Sequence, residues 1–95
     1  AIPNHQLEVE ITLLQIQNHL ALEEPSHALE MMQTLLSKPS SKPQAQWYKL
    51  LGDIHQMRGR CGPAVIAYSK ALKTGLGTQQ EQLVRQAVRS CSHPQ

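Results

Sequence analysis

The stretch AQWYKLLGDIHQMRGRCGPAVIAYSKALKTG, residues 45–75, decides the fold. Trp47, Tyr48, Leu51, Ile54 and His55 recur at three- and four-residue spacing, as do Ala64, Val65, Ala67, Tyr68, Ala71 and Leu72. That is the period of a helix face and not the two-residue alternation of a strand. Gly59 and Gly62 bracket a tight turn between the two segments, and Gly75 supplies the left-handed residue that ends a helix. A helical hairpin over 45–75 is therefore the first expectation.

The pattern extends on both sides. Ser41 with Gln44 three residues on reads as a capping box that opens the helix ending near Arg58, and Thr78 with Glu81 reads as a second. Leu83, Val84, Ala87, Val88 and Cys91 mark the helix after Thr78. Upstream, Lys38-Pro39-Ser40-Ser41-Lys42-Pro43 is a loop, preceded by a helix that starts at Pro25 and carries Ala28, Leu29, Met32, Leu35 and Leu36 to about Ser37. A first helix, about Asn4 to Leu22, has Leu7, Ile11, Leu14 and Leu22 on one stripe and Leu13, Ile16 and Leu20 beside it. So broad an apolar face calls for neighbours on two sides. The sequence predicts a single all-α domain over residues 1–95 with five helices.

Residues 45–75 are similar to the tetratricopeptide repeat, a 34-residue helix-turn-helix unit. With Ala45 at its first position, Tyr48, Leu51, Gly52, Gly59, Ala64, Tyr68 and Ala71 stand where the family pattern has its aromatic, large and small residues. His55 departs from the usual Tyr. An earlier, degenerate copy follows from aligning Ala28 with Ala64, which puts Met32 at Tyr68, Leu35 at Ala71 and Ile16 at Gly52. The resemblance implies an α-α superhelix of about two hairpins, repeat one about 9–42 and repeat two about 45–77, with a capping helix at about 78–91. It also implies that Gly52 and Ala64 lie where the helices of one unit cross most closely, with Ala71 close against the next unit and Tyr48 and Tyr68 filling wider gaps.

In that family ligands lie in the groove lined by the first helix of each unit. Carried over, the partner-binding residues are Gln46, Lys49, Leu50, Asp53, Gln56 and Met57 in the second unit. In the first they are Glu10, Leu13, Leu14, Gln17, Leu20 and Ala21. Lys49 and Asp53 are one helical turn apart and should pair, which disfavours clamping an incoming carboxylate. The mixed apolar and amide lining suits an amphipathic helix or an extended peptide. The function expected is that of a protein-binding scaffold or adaptor in a multiprotein complex, with a chaperone-like partner of one subunit or a self-associating spacer as alternatives.

Charge and composition narrow the other classes. Residues 1–36 hold Glu8, Glu10, Glu23, Glu24 and Glu30 with no Lys or Arg, whereas all nine bases follow Ser37 against Asp53 and Glu81 alone. An acidic and a basic end result, which offers a route to homo-oligomers. The bases are scattered singly without interleaved aromatics, so nucleic acid is not expected as a partner. No apolar run of membrane-spanning length and no signal peptide is visible. The missing initiator Met and the abrupt end suggest a piece of a longer protein.

Chemistry is not expected. His5, His19, His27, His55 and His93 share no metal-ligand spacing with one another or with the cysteines, so no metal and no cofactor are assigned. No catalytic triad can be argued, and Gly75-Leu76-Gly77-Thr78 is too short for a phosphate loop and lacks its Lys. His55 reads as a partly buried histidine whose ring nitrogens are satisfied by hydrogen bonds, Met32 as core and Met31 as its flank. Cys61 and Cys91 read as reduced, buried residues of an intracellular protein, with a disulfide as the alternative.

Overall fold

The computed structural model describes residues 4–38 and 42–92. Five helices follow one another: α1 (Asn4–Ala21), α2 (Pro25–Ser37), α3 (Ala45–Met57), α4 (Cys61–Thr74) and α5 (Thr78–Ser92). No strand occurs among the described residues. The fold is all-α, as the periodicity predicts, and among the described residues no helix is long and apolar enough to cross a membrane. Each helix packs on its chain neighbour, α1 also touches α3, and the molecule measures 48 × 27 × 22 Å.

The helix ends follow from local chemistry, with two departures from expectation. Pro25 opens α2 within its first turn, where no N–H is required of it. Gln44, expected at the third helical position of a capping box, is instead the cap residue itself, with extended φ −99° and ψ 162°, and makes no side-chain cap bond. Ser41, its expected partner, lies outside the described residues. At α5, Thr78 is already helical, and the first bond runs from the Glu81 amide to the Gly77 carbonyl at 2.8 Å.

The two hairpins repeat, hydrogen bond for hydrogen bond, at a spacing of 36 residues. After α1 the Glu23 amide donates to the Leu20 carbonyl (3.0 Å) and the Glu24 amide to the His19 carbonyl (2.8 Å). After α3 the Gly59 amide donates to Gln56 (3.0 Å) and the Arg60 amide to His55 (2.9 Å). Both are Schellman turns, built around a left-handed residue: Glu23 at φ 58° and Gly59 at φ 75°. The next residues match as well, Glu24 at φ −116°, ψ 66° and Arg60 at φ −108°, ψ 82°.

A left-handed conformation costs an L-residue about 1–2 kcal/mol, offset in part by the chain entropy that glycine loses on folding. Glu23→Gly should therefore stabilise the protein by about 0.5–1 kcal/mol and Gly59→Ala should destabilise it by about as much. No atom lies within 4 Å of a Cβ at Gly59, so backbone conformation alone sets the second effect. Urea midpoints of the two variants moving in the same direction would contradict this reading.

Side-chain burial repeats at the same spacing. Ile16, Ala28, Met32 and Leu35 are buried, and so are Gly52, Ala64, Tyr68 and Ala71. The first set joins Trp47, Leu50 and Ile54 in one core cluster spanning α1, α2 and α3; Ala64, Tyr68 and Val84 form a second one that holds α5. At Gly52 the nearest approach from α4 is made by the ring of Tyr68: a Cβ there would lie 2.5 Å from Tyr68 Cδ1 and Cε1. Tyr48, expected to fill a gap, is only half-buried, with Lys70 Nζ 5.8 Å from its ring centroid.

The cysteines pair. Cys61, first in α4, and Cys91, near the end of α5, form a disulfide with Cα atoms 5.1 Å apart, within the bonding range. This corrects the expectation of two reduced thiols and removes the argument for a reducing compartment. The cause is topological: antiparallel neighbours bring the start of one helix beside the end of the next.

Candidate functional groove

The residues expected to meet a partner divide into four groups. Glu10, Leu14 and Gln17 on α1 and Gln46 on α3 are exposed, as are Ala21 and Met57 at the helix ends. Leu13 and Leu20 are half-buried and pack on the first core cluster. Leu50 is only 6% exposed and belongs to that core, so it offers a partner almost no surface.

Lys49, Asp53 and Gln56 form a network that serves the fold. Lys49 Nζ lies 3.0 Å from Asp53 Oδ2, the pairing read from the sequence. Asp53 Oδ1 accepts the Tyr68 hydroxyl at 2.5 Å, and Gln56 Oε1 lies 2.9 Å from the same hydroxyl. One hydroxyl carries one proton, and the carboxylate is the stronger acceptor. The Gln56 amide, turned over, then presents its NH2 to the Tyr68 oxygen. Burial, followed by the hydrogen bond to Asp53 and the charge of Asp53, raises the Tyr68 pKa far above its ordinary value, which keeps the phenol neutral and donating. Two of the expected contact residues, Asp53 and Gln56, thus hold α4 against α3, with Lys49 paired to Asp53 along α3. Nothing in the repeat pattern marks that link, since a tyrosine assigned to a gap carries no signal for its hydroxyl partner.

His55 is half-buried, and its Nδ1 is buried without a hydrogen-bond partner among the described residues. Burial, then the charges of Arg58 and Arg60, lowers its pKa. A base whose folded pKa is depressed takes up protons more readily when unfolded, so its stabilising effect is present above about 6.5 and is lost on acidification below it. The urea midpoint should therefore fall between about pH 7.5 and 5.5, and His55→Gln should reduce that fall. An identical fall in the variant would count against this role.

Met32 is fully buried and Met31 packs on the same core, as expected. The histidines, by contrast, are less scattered than their spacing suggests, because the turn after α1 brings His19, Glu24 and His27 together. Comparison with protein-family models, with curated proteins and with solved structures found no match to this chain.

Proposed function

We propose that this chain is a protein-interaction scaffold of the tetratricopeptide kind that receives a helical or extended peptide along α1 and α3. The 36-residue repetition of turn, cap and burial carries this reading. Repeated hairpins set their first helices side by side, which makes one continuous surface out of separate helices. On it, Glu10, Leu14, Gln17, Gln46 and Met57 are the exposed residues that a partner would meet. Leu14 and Met57, at 64% and 45% exposure, are its apolar anchors.

The test is a pull-down with site-directed variants. A partner captured by the wild-type chain should be lost with Leu14→Glu and Gln46→Arg and kept with Ser69→Arg and Lys73→Glu on α4. The reverse pattern would place the binding surface on the outer face and remove the groove.

A second reading, self-association, has its own observation. Leu7, Ile11 and Leu14 form a stripe 46–64% exposed, whereas Trp47 and Leu50, at the positions equivalent to Ile11 and Leu14, are 3% and 6% exposed in the first core cluster. By that equivalence the stripe of α1 is a stacking face for another helical hairpin. Sedimentation at rising concentration would show a dimer that Leu14→Asp abolishes; a monomer throughout removes this reading.

A further inference from the structure

We propose that His19, Glu24 and His27 form a binding site for a divalent transition-metal ion, of which zinc is the test case. Each residue offers one donor atom, and the three donors lie within 4.8 Å of one another. His19 Nδ1 is 3.2 Å from Glu24 Oε1, and the two imidazole rings are stacked with centroids 5.5 Å apart and planes inclined by 21°. Two imidazoles and a carboxylate are the donor set of an open zinc site, which leaves a fourth position to water or an incoming group.

The backbone fixes the donors in place. His19 and Glu24 are the two ends of the Schellman hydrogen bond that closes α1, and His27 stands one turn into α2. The three side chains thus project from a segment of nine residues whose φ and ψ are set by the turn. Metal–donor bonds of about 2.0–2.2 Å require donors roughly 3.3–3.5 Å apart in a tetrahedron, so the set closes by about 1 Å on binding. His27 is exposed and His19 and Glu24 half-buried, which leaves their side chains free to make that adjustment. An ion there would bridge α1 and α2 across their turn.

The surroundings leave room for it. His19 and His27 line a cleft of about 370 Å³ together with Thr12, Glu30, Met31, Thr34, Leu35 and Lys38. Glu30 and Lys38 both line this cleft, so their charges offset one another and the two imidazoles with the Glu24 carboxylate are what would hold a cation. The equivalent positions in the second hairpin are His55, Arg60 and Pro63, which cannot assemble such a set. The site is a property of the first hairpin alone, and it stands whether or not the groove binds a peptide.

The experiment uses the untagged full chain titrated with zinc chloride by calorimetry, with cobalt(II) absorption as a second readout of coordination. One equivalent should bind, with the imidazole NMR signals of His19 and His27 shifting while those of His55 stay. His27→Ala and His19→Ala should each weaken binding by at least about tenfold, and Glu24→Gln by about tenfold, with circular dichroism unchanged. His5→Ala/His93→Ala should bind as the wild type does. The proposal is overturned if no saturable binding appears below about 100 µM zinc, the upper end of a usable affinity. It is equally overturned if binding persists undiminished in His19→Ala/His27→Ala.

Discussion

Gly52→Ile is expected to destabilise this protein by about 3 kcal/mol or more, a large share of what a domain of this size possesses. Even the first carbon of the new side chain would lie 2.5 Å from two ring atoms of Tyr68 and 2.8 Å from a third. The ring has nowhere to retreat. Tyr68 is fully buried, and its hydroxyl is held by Asp53 and Gln56. Replacing glycine inside a helix normally gains up to about 1 kcal/mol, less for a β-branched residue, which is too little to offset the clash. Urea unfolding of the variant measures the effect; a midpoint within error of wild type would mean that the ring is not where the structure puts it.

Cys61→Ser/Cys91→Ser is the second large loss, about 3–4 kcal/mol from the entropy returned to an unfolded chain no longer closed over a 30-residue separation. For a chain of this length that is a fall in Tm of more than about 10 °C. The damage should begin at α5. That helix packs chiefly on α4, its one fully buried side chain is Val84, and Cys91 belongs to the same small cluster. Amide exchange in the double variant should accelerate first at residues 84–91. Equal acceleration along α1 and α2 would show that the bond clamps the whole molecule and not its last helix.

Much of the architecture was legible because its signals are local. Pro25, Gly59 and Gly75 place helix ends to within a residue, and helical spacing of apolar side chains does the rest. The 36-residue offset was visible in Ala28 and Ala64, and burial matches it at four pairs, Ile16/Gly52, Ala28/Ala64, Met32/Tyr68 and Leu35/Ala71, but not at Ile11/Trp47, Leu14/Leu50 or Asn18/Ile54. What escaped depends on proximity in space. The Cys61–Cys91 bond, the Tyr68 hydroxyl between Asp53 and Gln56, and the meeting of His19 with His27 each join residues that spacing alone leaves unrelated. The burial of Leu50 escaped for a related reason. Leu50 packs into the first core cluster with Ile16, Met32 and Leu35, a contact between hairpins that helical spacing does not reveal.

The repeat also explains how a degenerate copy keeps its shape. Where the second hairpin combines no side chain at Gly52 with a large one at Tyr68, the first combines two of middle size, Ile16 and Met32, all of them buried. The eight side-chain heavy atoms of Tyr68 are matched by four each from Ile16 and Met32, a redistribution of bulk of the kind that cores accommodate by repacking.

A double-mutant cycle on Gly52→Ile and Tyr68→Met tests that equivalence most directly, since it writes the first hairpin's pair into the second. If the hairpins are copies, the double variant should be more stable than Gly52→Ile alone, with a coupling of about 2 kcal/mol or more. Additive losses would contradict the account, because the two positions would then not share one space.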